Sequence, residues 1–219
     1  MDERFPKFLR TIVRKLDFLA VPNMAMLVCG MAVLAFLGRE MLGAPLARFM
    51  FDPYMILQGE WWRLFPLPIS EDFSNPIWFL FYILYIYFVV GALEAEWGAG
   101  PLTVFIILSY ITAVAGAFIV MEPISIWFYI LANVSLAFGT LFPDVELYLF
   151  FILPVKAKWL SLLAGAFIFL KFIVGGLFEK LFLLVVLLPF LIFFSPMLYA
   201  RFRTWRKVRR NRQRFGDDR

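Results

Sequence analysis

Two serines and a lysine are the residues here whose chemistry would be costly to keep in lipid. Ser125 and Ser135 fall in the apolar run 124–141, and Lys171 falls in the run 160–174. A serine hydroxyl attacks a carbonyl once a base takes its proton, and a buried lysine with a lowered pKa is one such base. That pair would cleave peptide bonds inside a membrane. The more familiar base is absent, because the 219 residues include no histidine. Imidazole both accepts the serine proton and returns it to the leaving amine. Lys171 belongs to a different run from the serines and stands near its end, where a long side chain snorkels towards the interface. Ser125, Asn133 and Ser135 are read more simply as polar residues that hydrogen-bond between packed helices. A Ser-Lys intramembrane protease stays as an alternative.

Acidic residues give a second possible chemistry. Glu94 and Glu96 close an apolar run, and acids within a membrane often mark ion or proton paths. Their neighbours Trp97, Gly98 and Gly100 place them at a helix end instead. No acid, base or asparagine series lines up along several runs, so a channel or transporter is the other alternative. With no histidine and the single cysteine Cys29, no metal site, cofactor or intrachain disulfide is expected.

The elements that position these residues are transmembrane helices. The chain is 63% apolar and 20% aromatic, with a mean hydropathy of +0.84, more apolar surface than a soluble domain buries in one core. An all-α integral membrane protein is expected, with six spans at 22–37, 76–94, 101–121, 124–141, 160–174 and 181–198. The apolar stretch 147–153, between Glu146 and Pro154, is too short to span and is expected to be interfacial or re-entrant. Six spans put both termini and the fourth connection on one side. Sixteen of the 21 lysines and arginines are then on that side, which places both termini in the cytoplasm.

Three regions follow. Residues 1–20 alternate Phe5, Phe8, Leu9, Ile12, Val13, Leu16 and Leu19 with Arg4, Lys7, Arg10, Arg14 and Lys15, the pattern of an amphipathic cytoplasmic helix lying in the interface. The charges break any leader-like apolar core, and no cleavable leader is expected. Residues 21–199 form the membrane domain. Residues 200–219 form a basic cytoplasmic tail. The first helix and the tail are expected to bind anionic lipids, and no nucleic acid is expected.

Between the first two spans lies "QGEWWRLFPLPIS". Trp61 and Trp62 suit the headgroup region, Arg63 suits a lipid phosphate or Glu60, and Pro66 and Pro68 prevent a regular helix. Residues 38–75 are therefore expected to fold as an embedded loop on the outer side.

"GEWWRLFPLPIS", "GALEAEWGAGPL" and "LFPDVELYLFFILPVKAKWL" together resemble the rhomboid family over residues 58–170. Trp62 and Arg63 match its first-loop Trp-Arg motif, and Gly91, Glu94 and Gly98 match its second-helix Gly, Glu, Gly pattern. The resemblance implies a six-helix rhomboid-like bundle. It also exposes what is missing: Gly-x-Ser-Gly on the fourth helix, and a histidine and small residues on the sixth, "LFLLVVLLPFLIFF". The implied protein is a pseudoprotease of the derlin or inactive-rhomboid type, not an enzyme. Its partners would be membrane-protein clients, bound for quality control or trafficking. Neither client identity nor oligomeric state is written in the sequence.

Overall fold

The computed structural model describes residues 11, 13–42, 50–65, 67–68, 75–149 and 153–195. Helices α1 (Met24–Leu42), α3 (Pro76–Trp97), α4 (Ala99–Val120), α6 (Ala157–Val174) and α7 (Leu177–Ser195) are long and apolar enough to cross a membrane. By length and composition these are the spans of an integral membrane protein. Helix α5 (Ile126–Leu141) is apolar but has only 16 residues, about 24 Å at 1.5 Å per residue. Most of its side chains are buried, and it packs against α3, α4 and α6. A helix apolar on all sides is stable when other helices surround it, so α5 forms the centre of the bundle.

Local chemistry explains the helix ends. Pro76 occupies the first turn of α3, where its missing N–H costs nothing, and the Asn75 side chain accepts from Ile77 N at 2.8 Å. Gly98 alone joins α3 to α4, at φ 85° and ψ 166°. That positive φ favours glycine, so two 22-residue helices turn back on each other through one residue. At the other end α4 stops at Met121, in the left-handed region. The α6–α7 turn runs through Gly175 and Gly176, where Glu179 Oε2 accepts from Gly176 N at 2.9 Å.

The stretch expected to be interfacial or re-entrant contains an antiparallel hairpin of β1 (Glu146–Leu149) and β2 (Leu153–Lys156), in the register Glu146↔Lys156, Leu147↔Val155, Tyr148↔Pro154 and Leu149↔Leu153. The ladder satisfies the backbone where no helix forms. Pro154 is tolerated because each strand of a two-stranded ribbon has a free edge. Ala157 N donates to Val145 O at 2.8 Å and Lys158 N to Pro143 O at 3.3 Å, which ties the ribbon to the start of α6.

Of the N-terminal amphipathic segment, positions 13–15 are helical, with Val13 buried and Arg14 and Lys15 exposed, as that pattern requires. Its first ten residues and the basic tail from 200 onward lie outside the described residues. The bundle thus has a loop end, carrying residues 50–65, 67 and 68, and a hairpin end, carrying Gly98 and β1–β2.

Candidate functional site

Residues 50–65, 67 and 68 are docked, not draped, on the loop end. Asp52 caps the short helix α2 (Pro53–Leu57), its Oδ1 accepting from Tyr54 N at 3.0 Å and Met55 N at 3.2 Å. Trp61–Leu64 follows as a 3-10 turn. Arg63 lies between the two pieces: its Nε donates to Glu60 Oε2 at 2.5 Å and its Nη1 to Met50 O at 3.0 Å. Of its two sequence-level options, the structure thus places it in the local pair with Glu60 and adds a backbone carbonyl. With only 11% of the Arg63 side chain exposed, the charge-assisted bonds hold the start and the middle of the loop together.

Three further bonds fix this loop to the bundle. Ile124 N donates to Phe51 O at 2.9 Å, the Tyr110 hydroxyl to Leu64 O at 2.7 Å, and the Tyr82 hydroxyl to Pro68 O at 3.0 Å. Tyr82 in turn accepts from Trp127 Nε1 at 2.5 Å, so α3 and α4 hold the loop directly and α5 braces Tyr82. Phe51 and Ile56 are buried beneath it. Trp61 and Trp62 stay 66% and 52% exposed, the half-covered state that suits an indole at a membrane interface.

At the hairpin end, Gly91, Glu94 and Gly98 serve helix assembly. Glu94 Oε1 accepts from Asn23 N at 2.6 Å, and Asn23, at φ 56°, begins the turn into α1. The carboxylate thereby caps the positive end of a helix 71 residues away in sequence. Gly91 faces Ala25, and Gly98 makes the α3–α4 turn. Between the start of α1 and the last half of α3 lies an open groove of about 570 Å³, lined by Ala25, Met26, Phe88, Gly91, Ala92 and Glu94 among others. Four of its lining residues, Ala25, Gly91, Ala92 and Ala95, are small.

The polar residues of α5 are brought to its seams with other helices. Ser135 Oγ is 2.7 Å from the Tyr85 hydroxyl and donates to Leu131 O at 2.6 Å. Asn133, 1% exposed, donates from Nδ2 to Val186 O of α7 at 2.9 Å. Ser125 stands at the start of α5 without a capping bond from its side chain. Lys171 lies with its ammonium 5.2 Å from the Phe167 ring and 5.9 Å from the Tyr129 ring, a cation–π arrangement at the helix end. Among the described residues no hydrogen bond links Ser125, Asn133 or Ser135 to Lys171.

Several residues that matter here carry no sequence signal of their own. Ser161 Oγ donates to Ser135 O at 2.7 Å, and a Cβ on Gly139 would overlap the Ser161 side chain. That close approach makes the α5–α6 seam. Tyr82 and Tyr110 anchor the loop and Trp127 braces Tyr82, through single atoms far apart in sequence; only their polar tips in apolar runs mark them. The chain matches no protein-family model, no curated protein and no solved structure.

Proposed function

We propose that this chain is a non-catalytic, rhomboid-like six-helix membrane protein that binds other membrane proteins, with both termini in the cytoplasm. The observation that carries the binding reading is the groove between α1 and α3. It opens at the side of the bundle, and Ala25, Gly91 and Ala92 line it beside exposed Met26 and Phe88. Small residues let a second helix backbone approach closely, the main source of helix association in lipid. Glu94 at its end offers a polar group to a client whose helix carries a donor.

Support for a non-catalytic centre comes from the bonds already made. Ser135 is engaged by Tyr85 and its own helix, Asn133 by α7, and Lys171 by two rings. The orientation rests on the distribution of lysine and arginine.

A photo-crosslinking residue placed at Ala92, used in native membranes with mass spectrometry of the adducts, tests the reading. Adducts to transmembrane segments of other proteins are expected, with far fewer from a probe at Leu163 on the exposed face of α6. Equal labelling at both positions, or adducts with lipid alone, would overturn it.

A further inference from the structure

A second cavity, of about 300 Å³, lies at the loop end between the α4–α5 connection and the α6–α7 turn, at the lower limit of the volumes that hold small molecules. Glu122, Tyr129, Lys171 and Glu179 all line it. These groups are not satisfied by one another. Lys171 and Glu122 form no ion pair among the described residues. Glu179 gives Oε2 to Gly176 N. Tyr129 is only 6% exposed, yet its hydroxyl has no hydrogen-bond partner among the described residues. Its oxygen is not among the buried atoms that lack a partner, so it is open to the cavity.

An ammonium, a phenol and two carboxylates lining one cavity fit a ligand that carries both charges itself. We propose that this cavity binds a phosphoethanolamine group. Its primary ammonium would lie between Glu122 and Glu179, and its phosphate against Lys171 and the Tyr129 hydroxyl. A primary ammonium brings three N–H donors to carboxylate acceptors. A quaternary ammonium brings none and would need an aromatic cage, and the nearby Tyr129 and Phe167 faces are already used by Lys171. Two carboxylates against one lysine also repel a ligand that is only anionic. The group could arrive as a lipid headgroup, since Val174, Leu177 and Phe178 beside the cavity are exposed and apolar, or as free phosphoethanolamine.

The site is separate from the α1–α3 groove, and its test does not depend on client binding. The full-length protein in micelles is titrated with phosphatidylethanolamine, phosphatidylcholine or phosphatidylglycerol, and bound lipid is read by native mass spectrometry. Phosphatidylethanolamine should bind about tenfold more tightly than the other two, the effect of one well-made charge-assisted contact. Glu122→Gln should remove most of that preference, Lys171→Met should weaken all three lipids through the phosphate they share, and Lys171→Arg should keep the affinity. Glu122 lies on an exposed connection, so its variant remains informative even if Lys171→Met fails to fold. Competition by free phosphoethanolamine would assign the site to the soluble group, and its failure to compete would assign it to the lipid. Equal binding of the three lipids, or a preference unchanged in Glu122→Gln, would overturn the proposal.

Discussion

The α5–α6 and α1–α3 seams are both built with small residues, yet one is shut and the other is open. At the first, Gly139 meets Ser161 so closely that no side chain fits, and Ser161 bonds across to Ser135 O. At the second, a Cβ on Gly91 would meet only Ala25 Cβ, at 3.8 Å, and the hairpin end of the seam widens into the groove. Its loop end is closed instead by the stacked rings of Phe36 and Phe79, 4.1 Å apart, and by Leu67 from the docked loop. A glycine on a transmembrane helix therefore does not by itself mark a sealed interface. What decides is whether the facing helix brings a side chain to meet it.

Filling the shut seam should have the largest effect. Gly139→Leu is expected to destabilise the bundle by about 3 kcal/mol or prevent its folding, because overpacking a seam without slack forces helices apart. A denaturant titration in micelles checks this, and a midpoint equal to that of the parent would show that the seam is looser than its geometry. The next effect concerns the closed end of the other seam. Arg63→Ala should cost about 2 kcal/mol of local stability, the range for hydrogen bonds to charged groups. Amide exchange should rise across residues 50–65 while α5 keeps its protection; unchanged exchange in the loop would remove Arg63 from its role.

Smaller effects belong to the open end. Glu94→Ala removes the cap on α1 and should cost about 1 kcal/mol, seen as faster exchange in the first turn of α1 only. If α3 and α4 lost protection too, the carboxylate would be holding more than a helix end. Gly91→Leu should change stability least, by less than about 1 kcal/mol, since the added side chain enters open space rather than a packed seam. Client crosslinks from Ala92 should nevertheless fall steeply. Stability loss as large as that of Gly139→Leu would mean that the two seams are alike after all.

How much of this was legible in the sequence varies with the distance over which each feature acts. Runs of apolar residues set the long spans, because a bilayer demands about 20 such residues whatever the fold. The expected bounds shift by a few residues, as at α1, which runs on to Leu42, and α7, which starts at Leu177. The stop of α3 at Gly98 and the pairing of Glu60 with Arg63 were also readable, being local. The hairpin was not: residues 147–153 show no alternation, so periodicity offers no strand to recognise, and its ladder exists only once the backbone turns back on itself.

The candidate site divides in the same way. Composition and spacing determined that this is a membrane protein, that Trp61 and Trp62 suit an interface, and that the chain brings no imidazole to Ser125 or Ser135. Only the tertiary structure decided that Glu94 caps α1, that Ser161 closes on Gly139, that Tyr82 and Tyr110 hold the loop with Trp127 behind Tyr82, and that Glu122, Lys171 and Glu179 line one cavity. The physical reason is that hydrophobic burial in a bilayer depends on what a segment is made of, whereas a hydrogen bond or a close helix contact depends on which atoms arrive within a few tenths of an ångström of each other. In a helix bundle those atoms come from different spans.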